Sequence, residues 1–135
     1  MVIIVGLLLA NSSCKYQITD SDGIVIAQYG IDSLSAKPDT VLLGDTVKVS
    51  ARIVLDCTNR ITRIDTLLDT MRIPPRVTVA IFGTVFTGPG PRPLCPARFF
   101  NENISLVLPR RGAWIIEAAQ PPWRNWNLTD TVIVQ

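Results

Sequence analysis

The sequence predicts an all-β fold, an antiparallel β-sandwich. Two segments place apolar residues at every second position, Val47 to Leu55 within Gly44 to Leu55 and Val77 to Ile81 with Val85 within Arg76 to Phe86. That period of two is the mark of a strand with one face buried. Ten prolines and eight glycines fall mostly in clusters between such segments, where they act as turns and breakers rather than as parts of helices. At 135 residues the chain is long enough for one core that buries roughly two-thirds of the unfolded surface.

The elements follow in chain order. The run "VIIVGLLLA", Val2 to Ala10, is nine residues long. A bilayer-spanning helix needs about 20 apolar residues, whereas the apolar region of a signal peptide takes about 7 to 15. After it come Asn11, Ser12, Ser13 and then Cys14. These residues resemble the lipobox of bacterial lipoproteins, in which a cysteine after small residues is acylated and becomes the mature N-terminus. Asn11 stands where that family usually has an aliphatic residue, and no Lys or Arg lies between Met1 and Cys14. The resemblance implies a signal peptide over 1–13, lipid on Cys14 and a tether over 14–23. It also implies a bacterial envelope protein, and Lys15 resembles the outer-membrane class.

The tether "KYQITDSDG" is polar and lacks apolar periodicity. A first, less regular strand is expected over Ile24 to Leu34. In "GDTVKVSARIVL" a turn signal opens a strand with Val47, Val49, Ala51, Ile53 and Leu55 on one face. Between Thr58 and Pro75 two readings stay open. Ile61, Ile64, Leu68 and Met71 recur at helical spacing, but Thr58, Thr62, Thr66 and Thr70 disfavour a helix, and an irregular hairpin fits equally well. "RVTVAIFGTVF" places Val77, Val79, Ile81 and Val85 on one face and Ala80, Phe82 and Phe86 on the other, as expected of a strand covered on both sides. "GPGPRPLCP", 88–96, reads as an extended loop. "NISLVLP", "GAWIIEAA" and "LTDTVIVQ" supply three further strands.

Two of these stretches, "SAKPDTVLLGDTVKVSARI" and "LVLPRRGAWIIEAAQ", resemble strand regions of bacterial immunoglobulin-like and fibronectin-like domains. The resemblance implies an immunoglobulin-like β-sandwich of about seven strands over 24–135, with adhesive, spacing or assembly roles rather than chemistry. Trp114 stands where such domains commonly carry a corner tyrosine. Lacking a hydroxyl, the indole is expected to replace that latch by packing alone.

Three cysteines leave one thiol over, but if Cys14 carries lipid then Cys57 and Cys95 remain as a pair. They form either a disulfide or two buried thiols. Metal is not expected, because the chain has no histidine and no C-x-x-C spacing.

The lack of histidine also excludes Ser-His-Asp and Cys-His catalysis, and no Gly-rich phosphate cradle occurs. Asp65 and Asp69, four apart, and Asp20 and Asp22, around Ser21, read as surface or turn residues. The expectation is a protein that is not an enzyme and has no cofactor. From Thr58 to Asn127 there are nine arginines against four acids. Such a surplus suits either solvated loops or a surface against phosphates, and nucleic acid is not an expected partner of an exported domain.

The expected partners are the membrane, through acyl chains on Cys14, and an envelope protein or glycan. "PPWRNWN", 121–127, is the candidate contact loop. Trp123, Arg124 and Trp126 are residue types frequent at binding hot spots, though the indoles would serve equally as a cap on the core.

Overall fold

The computed structural model describes residues 23–88, 94–125 and 127–135. Cys14, Asp20, Asp22, Arg92 and Trp126, most of the expected tether and the centre of the proline-rich loop lie outside the described residues. Nine strands and no helix make up the described residues: β1 (Ile24–Gln28), β2 (Ser33–Lys37), β3 (Thr40–Val41), β4 (Thr46–Leu55), β5 (Ile61–Asp69), β6 (Arg76–Phe86), β7 (Arg98–Val107), β8 (Gly112–Ala118) and β9 (Thr129–Val134). They form two sheets with mostly antiparallel strands, consistent with a β-sandwich. The count exceeds the seven or so expected, because short β3 carries no alternation to read and the expected first strand is in fact two.

That division is the first correction. Ile24 to Leu34 is not one strand: β1 joins the larger sheet and β2 the smaller. Tyr29 N–H still donates to Ile81 of the larger sheet at 2.8 Å, and three residues on Asp32 N–H donates to Arg52 of the smaller one at 2.7 Å. The chain therefore changes sheet within Gly30 and Ile31.

The smaller sheet has the order β2-β4-β7. The larger runs β1-β6-β8-β9-β3, with β5 also on β6. Because β5 pairs with β6 from Arg76 to Gly83, it occupies one edge of that strand. The other edge is shared by β8, beside residues 76–79, and β1, beside residues 82–86. Two pairings, β6 with β8 and β3 with β9, are parallel, unlike the wholly antiparallel expectation. Hairpin turns impose antiparallel pairing on neighbours in sequence, but strands brought together across a sandwich are free of that constraint.

The core lies between the sheets. Val47, Val49, Ala51 and Ile53 of β4 meet Val77, Val79 and Ile81 of β6 together with Trp114, Ile116 and Val132, all fully buried. The outer face of β6 is only half-covered. Phe82 there lies under the Arg63 guanidinium, 4.2 Å from the ring centre, while Glu117 is held by Arg76 and by the Thr78 hydroxyl.

Trp114 is the second correction. Its Nε1–H donates to the carbonyl of Arg110 at 3.0 Å. The indole N–H is a donor that the expectation of packing alone overlooked, so the ring both packs and latches the preceding turn. Third, of the two readings left open for 58–75 the helix falls: Ile61 to Asp69 is strand β5, paired antiparallel with the following β6, with an irregularity of register between Ile61 and Arg63. Long-range pairing decides the segment, since its threonines suit a strand as well as its apolar spacing suits a helix. Strand β7 starts at Arg98, five residues ahead of the predicted "NISLVLP", because its first half pairs fully with β4.

Candidate functional site

One end of the sandwich gathers the residues nominated by the sequence. The loop between β8 and β9 is tied to the sheet crossing by side-chain amides. Gln120 accepts from Ile31 N–H and donates to Ile31 C=O, both at 2.8 Å, so that its amide imitates a strand partner. Gln28 Nε2 donates to the carbonyl of Ala119 at 3.0 Å, and Pro121 is buried. A turn follows in which Arg124 N–H donates to Pro121 C=O at 3.0 Å.

Arg124 then lies back across Gly30. A Cβ on Gly30 would collide with its Cδ and Nε, so glycine is what lets the side chain reach inward. Its Nη1 donates to Ile31 C=O at 3.2 Å and stands 3.7 Å from Asp32. The same carboxylate faces Arg52 at 3.3 Å, and Arg52 covers the Phe99 ring at 4.6 Å. Of the three nominated contact residues, Arg124 is thus a brace within the fold. Trp123 beside it is 62% exposed. The two border an open cleft of about 330 Å³ with Tyr29, Gly30, Val54 and Phe86. Phe99, 61% exposed, extends the apolar surface on the smaller sheet.

The disulfide sits at this end too. Cys57 and Cys95 are joined, with Cα atoms 5.9 Å apart, and Cys57 N–H points at Cys95 Sγ. Cys57 lies two residues beyond β4, in a turn held by Asp56 and Asn59. Thr84 fastens that turn to β6: its hydroxyl accepts from Arg60 N–H and donates to Thr58 C=O, and its own carbonyl accepts from Asn59 and from the Tyr29 hydroxyl, the last at 2.6 Å. Burial is the main cause holding the Tyr29 hydroxyl above its ordinary pKa of 10.0.

No protein-family model, curated protein or solved structure matches this chain.

A second surface escaped the sequence reading. Among the described residues β5 pairs with β6 alone, leaving nine residues of strand edge. Along it and the turn beyond, Leu67 is 68%, Met71 89% and Ile73 96% exposed, with Leu68 also exposed. Strand β5 runs from Ile61, opposite Gly83, to Asp69, opposite Arg76, so these side chains lie at the end away from Trp123 and Phe86. The available signal was the threonine-rich alternation, masked by helical spacing of the apolar residues.

The weighed carboxylates do not converge. Asp65 pairs with Arg63, and Asp69 accepts from Met71 N–H in the turn. No group of three or more acids and cysteines stands together in metal-holding geometry among the described residues. The arginine surplus is partly neutralised, with Arg63, Arg76 and Arg124 in ion pairs and Arg110 donating to Thr70 C=O.

Proposed function

We propose that this chain is a non-enzymatic module of the bacterial cell envelope, anchored by lipid on Cys14, that makes structural or assembly contacts with other envelope proteins. The apolar free edge of β5 carries the reading. An uncovered strand edge offers a row of backbone donors and acceptors to an incoming strand, and soluble domains usually guard such an edge with charge or proline. Here Leu67 and Leu68 stand exposed on the strand among the charged Arg63, Asp65 and Asp69, and Met71 and Ile73 extend the apolar surface onto the turn beyond it. The signal-length apolar run ending at Ser12-Ser13-Cys14 supports the anchor, and Lys15 favours the outer membrane. An immunoglobulin-like reading of the fold is supported by the β8–β9 hairpin and by the Trp114 latch at the corner position, while the parallel pairing of β6 with β8 departs from that pattern.

A photo-crosslinking residue in place of Leu67 tests the contact in cells. The expected result is a discrete adduct with an envelope protein, lost when Ile73→Glu and Leu68→Asp are added with the melting temperature retained. An unchanged adduct in that variant, or none at all, removes the β5 contact.

A ligand-binding module is the second reading, favoured by the exposure of Trp123 over its cleft. A glycan or peptide bound there would be lost with Trp123→Ala and Trp126→Ala together.

A further inference from the structure

We infer that the Trp123 end of the sandwich rests on the lipid interface of the membrane that carries the anchor. This rests on the anchored reading and names what that end meets.

The placement follows from where the chain enters the domain. Gly23 C=O accepts from the Thr87 N–H at 2.7 Å and from the Thr87 hydroxyl at 3.0 Å, and Ile24 stands opposite Phe86. Phe86 itself lines the cleft with Trp123 and Arg124. The lipid-bearing residue is Cys14, nine positions before Gly23, and a chain of that length reaches at most about 30 Å. The opposite end lies the length of β6 farther on, roughly 35 Å for its eleven residues. Any shortening of the tether brings the Trp123 end to the headgroups first.

The chemistry of that end fits the headgroup layer. Trp123 and Phe99 are exposed there, Leu94 stands fully in solvent beside the disulfide, and Arg60 and Arg98 are exposed cations flanking the same bridge. Indoles concentrate at membrane interfaces because the ring is apolar and its N–H still finds water or headgroup oxygen, while basic side chains favour an anionic surface. A small anionic ligand fits less well. It would need Arg124, whose guanidinium already faces Ile31 C=O and Asp32. With this end on the membrane, the apolar edge of β5 is presented outward to protein partners.

The test uses the full-length protein carrying Trp126→Phe, purified from membranes and reconstituted into vesicles of phosphatidylglycerol and brominated phosphatidylcholine. Trp114 is fully buried and serves as the internal reference for folding. The expected result is quenching of part of the emission by the brominated lipid, abolished by adding Trp123→Phe, with the Trp114 emission retained in both. An acylated, vesicle-bound protein whose Trp123 emission is not quenched overturns this inference and leaves the anchor standing. Trp123 emission that responds to added glycan or peptide but not to brominated lipid also overturns it, in favour of a soluble ligand. A mature protein whose mass shows no acyl group on Cys14 removes the anchored reading and this inference with it.

Discussion

The indole N–H of Trp114 donates to the carbonyl of Arg110, 3.0 Å away, from a ring that is completely buried between the sheets. One side chain therefore fills the core and closes the turn from β7 into β8. Trp114→Phe keeps an aromatic ring but loses the donor and part of the volume, and should lower stability by about 1 to 3 kcal/mol. Trp114→Ala should cost about 3 to 5 kcal/mol. Urea unfolding followed by circular dichroism distinguishes the two. Both variants lose the donor, so the difference between them reports the packing of the ring, and a Trp114→Phe that costs nothing would mean that the hydrogen bond contributes nothing.

Tyr29 ties the sheet crossing to the Thr84 cluster, and a glycine at position 83 makes room for it, since a Cβ there would strike its hydroxyl. Its pKa is raised in the folded state, chiefly by burial. The unfolded chain therefore loses this proton first as pH rises, so the contribution is whole below about pH 10 and declines above it. Tyr29→Phe should cost about 0.5 to 1.5 kcal/mol at neutral pH through the lost hydrogen bond, and should flatten the alkaline fall in melting temperature. An alkaline profile identical to that of the parent would assign the fall to other groups.

The Cys57–Cys95 bridge spans 38 positions and holds the far side of the proline-rich loop to the turn after β4. In the chain-entropy picture its loss costs about 3 to 4 kcal/mol. The double change Cys57→Ser and Cys95→Ser should lower the denaturation midpoint accordingly while leaving the circular dichroism of the sheets in place. Labelling of the unfolded, non-reduced protein should find neither thiol free.

Adjacent residues of the β8–β9 loop should behave oppositely. Trp123→Ala removes an exposed ring and should change stability by no more than about 0.5 kcal/mol. Arg124→Ala strips Asp32 and Ile31 C=O of a partner and should cost about 1 to 2 kcal/mol. Gly30→Ala should reproduce much of that loss by displacing the guanidinium. Melting curves of the three variants decide the matter, and a large fall for Trp123→Ala would make the indole part of the core.

The alternation of Val47, Val49, Ala51 and Ile53, and of Val77, Val79 and Ile81, determined two central strands and their buried faces. The reason is local: each side chain points to the opposite face from its neighbour whatever the partner strand. The cysteine count, taken together with the expectation of lipid on Cys14, left Cys57 and Cys95 as either a disulfide or two buried thiols, and the packed fold joins them. What local pattern could not decide is which strands meet. The division of Ile24 to Leu34 between two sheets, the parallel seat of β8 beside β6, and the conversion of Ile61 to Asp69 into an edge strand all arise from hydrogen bonds between residues far apart in sequence. The same holds for side-chain roles. Composition made Trp123 and Arg124 equal candidates, but only the packed fold leaves the indole in solvent and draws the guanidinium over Gly30 to Asp32. Exposure depends on the neighbours that the fold brings together, and those neighbours are not adjacent in sequence.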